Sequence, residues 1–158
     1  MIQIIDEFFS NEICDDLISY FENNKNLHEI HRDTKLITLF EKDEFQEKKF
    51  NFLFDKINEH IKNLNNCEIT YLHLVKWFDD SSQNLHYDKI YDEVLFSSIS
   101  YLNDQYTGGQ TFFEEGTTFK PKKGRMLFFD GTCYKHGVTP VKNGPRYTLA
   151  SWYKRIEK

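Results

Sequence analysis

The sequence has no basic run. Lys and Arg are scattered along 158 residues whose formal charge is −5. A protein that lives on duplex nucleic acid normally shows a one-sided basic footprint, so that class of partner is disfavoured. No apolar stretch approaches the ~20 residues needed to span a bilayer. The start, Met1 to Asp16, lacks the basic segment and apolar run of a signal peptide. A soluble, cytoplasmic protein without a membrane partner is therefore expected. Cysteines are few and odd in number: Cys14, Cys67 and Cys133, with no CxxC pair. That argues against a disulfide framework and against a cysteine zinc site, and reduced thiols are expected. Internal repeats and low-complexity segments are missing too.

What the sequence does have is aromatic side chains. Phe and Tyr number 15 and 9, so the core should be built largely from rings. The length, residues 1–158, suits a single domain. A chain of this size buries roughly 70% of the surface it exposes when unfolded, enough for a core without staples.

The periodicity predicts helices first and strands afterwards, with residues 1–66 mostly helical support and 67–158 a β core. Ser10 can cap a helix whose apolar positions are Ile13, Leu17, Tyr20 and Phe21. A second helix is expected from about Asp43 to Leu64, with Phe50, Leu53, Phe54, Ile57, Ile61 and Leu64 as its stripe. From Cys67 onward, short β-branched and aromatic runs predict strands over Glu68 to Phe78, Val94 to Leu102, Gln110 to Phe113, Arg125 to Phe129 and Arg146 to Tyr153. Gly108-Gly109, Asp130-Gly131 and Asn143-Gly144-Pro145 mark turns between them. The class expected is mainly β (α+β), an antiparallel sandwich or barrel with helices packed on the outside of one sheet.

The pattern that carries chemistry is His86-Tyr87-Asp88. On an extended segment residues i and i+2 share a face, so an imidazole and a carboxylate converge. His136 follows 50 residues later beside a strand-and-turn pattern that can fold back on the first. Two histidines and one carboxylate leave three positions of an iron open for cosubstrate and dioxygen. Alone, an HxD is more often a solvated surface pair. The remaining histidines, His28, His31, His60 and His73, have no partners at ligand spacing and are read as structural. Further on, Arg146 and Thr148 share a strand face. A guanidinium fork grips a carboxylate through two parallel charge-assisted hydrogen bonds. Judged by itself, Arg146 could equally reach the surface.

From Cys67 to Tyr153 the order of six pieces resembles the prolyl 4-hydroxylase-like branch of the 2-oxoglutarate and iron(II)-dependent oxygenases. The pieces are His86-x-Asp88, Ser100-Tyr-Leu-Asn103, Gly108-Gly-Gln-Thr-Phe112, Lys120-Pro-Lys-Lys-Gly124, His136-Gly-Val-Thr-Pro140 and Arg146-Tyr-Thr-Leu149 with Trp152. The resemblance implies a double-stranded β-helix, or jelly roll, with the N-terminal helices packed on one sheet. It implies His86, Asp88 and His136 as iron ligands. It further implies that Arg146 binds the distal carboxylate of 2-oxoglutarate, helped by Thr148 and Tyr101. The cofactors implied are Fe(II), 2-oxoglutarate and O2, with ascorbate as reductant.

The activity implied is hydroxylation of an unactivated C–H bond, with succinate and carbon dioxide as co-products. A prolyl residue in a peptide or protein is the first substrate expected, lying between the segment His28 to Lys42 and the loops Asp79 to Leu85 and Lys89 to Glu93. Acidic Asp79, Asp80, Asp92 and Glu93 either favour a basic peptide or form a solvated rim, the latter preferred. The alternatives are a free amino acid or other small molecule, or a nucleic-acid base. The nucleic-acid branch carries a second Arg six residues after the first, where this chain has Trp152. A cupin would use HxH and a Glu, and a non-catalytic module would have lost a ligand; neither fits. One departure stands out. The Tyr-x-x-Gly element usual ahead of the iron motif reads Trp77-Phe78-Asp79-Asp80 here.

Overall fold

The computed structural model describes residues 1–41, 44–46, 48–88 and 94–156. Among the described residues, two α-helices and fourteen strands run in the order β1 (Ile2–Ile5), α1 (Asn11–Asn23), β2 (Glu29–His31), β3 (Thr34–Glu41), β4 (Glu44–Phe45) and α2 (Asn51–Asn65). Then follow β5 (Cys67–Trp77), β6 (Gln83–His86), β7 (Val94–Tyr101), β8 (Thr107–Gly108), β9 (Thr111–Phe113) and β10 (Thr118–Phe119). The chain closes with β11 (Met126–Asp130), β12 (His136–Val138), β13 (Val141–Lys142) and β14 (Arg146–Arg155).

The main sheet is antiparallel, ordered β1-β11-β7-β14-β5-β3-β2, with β4 on β3. A second sheet, β10-β9-β12-β6, faces it, and β13 pairs β8. This is the jelly roll expected, with α1 and α2 on the outer face of the main sheet. Strand alternation divides the hydrophobic residues between two cores. On β11, Met126 and Phe128 join Leu17, Phe21, Leu53, Ile57, Leu74 and Leu149 in the core beneath the helices. Leu127 and Phe129 point the other way, to a smaller cluster between the sheets with Tyr101 and Phe113.

Ser10 caps α1 as expected, its hydroxyl accepting from the Ile13 amide at 3.2 Å. The second helix begins later than its stripe suggests, at Asn51. Its expected first residue, Asp43, lies outside the described residues, while Glu44–Phe45 form a strand and Lys48–Phe50 a single 3-10 turn. Phe45 explains the shift. Its ring packs against Phe40 of β3 and Phe54 of α2 at 4.9 and 5.0 Å, which anchors the segment to the sheet edge. Leu64, placed on the stripe, is 43% exposed.

The expectation of helical support over residues 1–66 needs a larger correction. Four strands lie there, and β3 is an eight-residue member of the main sheet, paired with β5 from Thr34↔Trp77 to Glu41↔Tyr71. Its burial does not alternate, because a bulge between Thr38 and Phe40 shifts the register. A period-2 pattern was therefore not visible.

Candidate metal centre

His86 ends β6 and His136 begins β12, and the two are register partners across the ladder. The local sequence holds each ring. His86 Nδ1 donates to the Asn84 carbonyl at 2.8 Å and His136 Nδ1 to the Tyr134 carbonyl at 3.3 Å. A carbonyl only accepts, so each ring carries a proton on Nδ1 and turns Nε2 toward Asp88, where it can ligate once it gives up any proton of its own. Asp88 lies just beyond β6, where its amide donates to the Gly131 carbonyl at 2.9 Å. Gly131 belongs to a turn shaped by Asp130, whose carboxylate accepts from Thr132 and Cys133. Phe129 backs the His136 ring edge-on at 4.6 Å.

The three side chains converge. Asp88 carboxylate oxygens lie 3.2 Å from His86 Nε2 and 3.4 Å from His136 Nε2. One ligand atom from each residue falls within 4.8 Å of the others. Asp88 and His136 are buried, and His86 is half-buried. Burial would raise the Asp88 pKa, but the hydrogen bond from His86 and the charge of His136 more than reverse this. Burial depresses His86, yet Asp88 and the Asn84 carbonyl leave it above the usual histidine value. For His136 burial wins, and its pKa falls. Two basic nitrogens facing an anionic carboxylate call for a cation among them, a proton or a metal.

Arg146 stands opposite Trp77 on neighbouring strands of the main sheet. Its side chain is among the largest fully buried in the protein, at 1% exposure. It does not reach the surface, the alternative left open by the sequence. None of its three guanidinium nitrogens has a hydrogen-bond partner. Rings flank it: the guanidinium carbon is 4.8 Å from the Trp77 ring centroid and 5.5 Å from that of Tyr101. A buried, unpaired guanidinium is costly unless an anion completes it. Thr148, buried beside it, accepts from the Trp77 indole at 3.4 Å. The Tyr101 hydroxyl is engaged at 2.6 Å with Thr111, bridging the two sheets. Thr111 pairs in turn with Val138, two residues beyond His136, which ties the guanidinium pocket to the metal centre.

The sequence pattern of the 2OG-Fe(II) oxygenase superfamily matches residues 72–154. The chain belongs to this superfamily. Its members draw on Fe(II) and 2-oxoglutarate, and the chemistry above fits both. A cation would sit among two imidazoles and a carboxylate, and a dicarboxylate would answer an orphaned guanidinium.

Among curated relatives, Prolyl 3-hydroxylase 2 of Rattus norvegicus is 37% identical over 65 residues, which is 37% of this chain. Prolyl 3-hydroxylase 3 of Homo sapiens matches at the same identity and extent. The match spans 9% of the length of these relatives. Similar solved structures include a viral collagen prolyl hydroxylase from Paramecium bursaria Chlorella virus-1 in a 2-oxoglutarate complex (TM-score 0.73, 21% identity, 99% of this chain and 96% of that one). A prolyl hydroxylase from Trichoplax adhaerens, bound to a hypoxia inducible factor peptide, gives a TM-score of 0.81 at 18% identity, covering 97% of this chain and 83% of its own. A Pseudomonas putida prolyl-4-hydroxylase gives 0.77 at 16% identity, covering 99% and 93%. At these identities the structures establish the superfamily fold.

Sequence reasoning missed several groups around the site. Tyr106 has a hydroxyl closed off from solvent beside Arg146, and the buried Ser97 hydroxyl stands close enough to Asp88 to help hold its carboxylate ionised. Neither shows a motif, because only the fold brings them close. Two of the other histidines, His28 and His73, are packed away from this centre. His28 Nε2 bonds the Phe21 carbonyl at 2.8 Å and its ring stacks on Phe21. His73 is packed against Trp152, and burial drives its pKa down to about 4. Of the acidic rim, Asp79 accepts from the Gly144 amide at 2.6 Å and Asp80 pairs with Lys142, so both brace a turn. Asp92 and Glu93 lie outside the described residues, as does the whole Lys89 to Glu93 loop. Among the described residues, no helix is long and apolar enough to cross a membrane.

Proposed function

We propose that this chain hydroxylates a prolyl residue in a peptide or protein, with His86, Asp88 and His136 holding Fe(II). In this reading Arg146 binds the distal carboxylate of 2-oxoglutarate, with Thr148 and Tyr101 alongside. The observation that carries it is the coincidence of two incomplete groups in one sandwich. Three ligand atoms lie within 4.8 Å, and a buried guanidinium has no anion.

Fe(II) with 2-oxoglutarate and O2 supplies oxidative decarboxylation to succinate and carbon dioxide, coupled to hydroxylation of an unactivated C–H bond. The chain's own residues bind and orient. The Asn84 and Tyr134 carbonyls fix the imidazole tautomers, and Asp88 contributes one negative charge to offset the dication. Phe113 and Phe129 keep His136 dry and rigid. The β2–β3 turn is tied to the loop leading into β6. Ser81 Oγ donates to the Asp33 carbonyl at 2.8 Å, and the Ser82 amide to the Asp33 carboxylate at 3.1 Å. These two tethers hold the segment leading to His86 and Asp88 against the β2–β3 turn.

The names of the relatives support prolyl chemistry in a peptide and point to two ring positions, carbon 3 and carbon 4. The test is succinate release with Fe(II), 2-oxoglutarate and ascorbate, the proposed reductant, against proline-containing peptides, free amino acids and oligonucleotides. A gain of one oxygen on peptides is expected, with amino-acid analysis assigning the carbon. His136→Ala should abolish succinate formation. Oxygen gained only by amino acids or by oligonucleotides would overturn the prolyl assignment.

A further inference from the structure

Tyr106 lies in the loop between β7 and β8, and no motif marks it. Its hydroxyl shares an unusual condition with Arg146: both are closed off from solvent, and the phenol, with the guanidinium standing beside it, finds nothing to accept its proton. The two groups meet over Gly109. A Cβ built on Gly109 would lie 2.8 Å from the Tyr106 ring and 2.9 Å from Arg146 Cδ, so phenol and guanidinium stem press on the same bare backbone. No side chain larger than hydrogen fits between them, and the φ of +64 at Gly108 and +58 at Gly109 suits glycine.

The chemistry of the pair is one-sided. A guanidinium is donor-only. The Tyr106 oxygen is near enough for the Arg146 charge to act on its ionisation, yet that contact offers nothing to accept the phenolic proton. Burial pushes the Tyr106 pKa up, so the hydroxyl keeps its proton and remains a donor. Tyr101, the phenol named by the sequence motif, already has Thr111 as partner at 2.6 Å. Tyr106 is thus the phenol at this site with an unanswered donor. Several donors converging on one point without an acceptor require a group with many lone pairs, and a carboxylate has about four acceptor sites.

We propose that Tyr106 is a cosubstrate-binding residue of this chain, its hydroxyl donating to the same carboxylate that Arg146 grips. The inference rests on the reading of Arg146 given under Proposed function. The distal carboxylate is then held by a charge and by a phenol, and the phenol contributes selectivity for dicarboxylic over monocarboxylic keto acids.

The test is anaerobic binding of two keto acids to Mn(II)-loaded protein, read by tryptophan fluorescence. Trp77 over Arg146 serves as the reporter, in a Trp152→Phe background. 2-Oxoglutarate carries the distal carboxylate, and 2-oxobutyrate has the same keto-acid head without it. Tyr106→Phe keeps the ring, and it should weaken 2-oxoglutarate on the order of ten- to a hundred-fold, as for a lost hydrogen bond to a charged group. Its affinity for 2-oxobutyrate should stay at the unsubstituted value. An equal loss for both keto acids would overturn the proposal, because the phenol would then be acting on pocket shape. Unchanged 2-oxoglutarate binding in Tyr106→Phe, with a large loss in Arg146→Met, would overturn it too while leaving the Arg146 reading intact. Unchanged binding in Arg146→Met would remove the parent reading, and this inference with it.

Discussion

Replacing Arg146 by Met should move stability and binding in opposite directions. The side chain is 1% exposed, and its three nitrogens have no partner. Exchanging buried charged groups for apolar ones of similar volume can stabilise by roughly 1–4 kcal/mol. The faces of Trp77 and Tyr101, 4.8 and 5.5 Å from the guanidinium carbon, already return part of that cost. Cation–π contacts contribute about 0.5–2 kcal/mol, so the expected net gain is about 1–2 kcal/mol. For a domain of this size that is a rise of roughly 2–8 °C in Tm. In the bound state the sign reverses. Two charge-assisted hydrogen bonds at about 1.5–3 kcal/mol each are lost, weakening 2-oxoglutarate by roughly a hundred-fold to ten-thousand-fold. Thermal unfolding of the Mn(II) protein, with and without ligand, reads both effects. At a hundred times Kd the unsubstituted protein should gain about 2.7 kcal/mol, a shift of roughly 5–11 °C. Arg146→Met should gain almost nothing at the same concentration. A variant that melts lower than its parent, and still shows the full ligand shift, would refute the argument that Arg146 is an anion site held at the expense of stability.

Other perturbations test the scaffold. Ile57 is fully buried between α2 and the main sheet, and Ile57→Ala should cost about 2–5 kcal/mol in urea unfolding without changing 2-oxoglutarate affinity. His73 has a folded pKa of about 4 against 6.5 unfolded, because burial opposes its charged form. The unfolded chain therefore binds more protons between those values, and stability should fall as pH drops through that window. The full difference is about 3 kcal/mol, and His73→Phe should flatten this part of the curve. At Gly137 an added Cβ would meet the Gln83 carbonyl at 2.5 Å and the Phe112 ring at 2.7 Å. Gly137→Ala should therefore prise β12 from β6 and weaken Mn(II) binding by at least ten-fold by calorimetry, since His136 and His86 are paired across that ladder.

Two of the three candidate ligands could be picked out by spacing, because an HxD on an extended segment shares one face, whereas His136, 50 residues on, was drawn in by the motifs around it. His86 and Asp88 are two apart, and the strand carrying Arg146 and Thr148 reads as a strand from its composition. The strands β5, β7, β9, β11 and β14 fall within a residue or two of expectation for the same reason. Short strands such as β6, β10 and β12 were not legible, because two to four residues cannot display a period. β3 was hidden by its bulge. Tyr106 and Ser97 were invisible in a deeper sense. Each belongs to the site only through the folding of distant segments against one another, and nothing in their immediate neighbours announces it.

The altered Trp77 to Asp80 segment shows how a motif can keep its shape while changing its residues. The missing turn glycine left its conformation behind. Asp80 adopts a φ of 68, a region Asp tolerates better than most side chains. The turn is closed by the Ser81 amide on the Phe78 carbonyl at 3.1 Å and by the Phe78 amide on Ser81 Oγ at 3.0 Å. The Asp80 amide reaches the Val141 carbonyl at 2.8 Å, fastening the turn beneath β13. What does change is polarity. The Trp77 indole has no acceptor, and its N–H is directed at the Thr148 oxygen. A hydroxyl that accepts from Trp77 keeps its own proton free to donate. Trp77 therefore helps to make the Arg146–Thr148 face a surface of donors, under an indole that covers the guanidinium. A tyrosine there would have brought an acceptor oxygen. The substitution thus sharpens the demand for an anion at the place where Tyr106 adds a further donor.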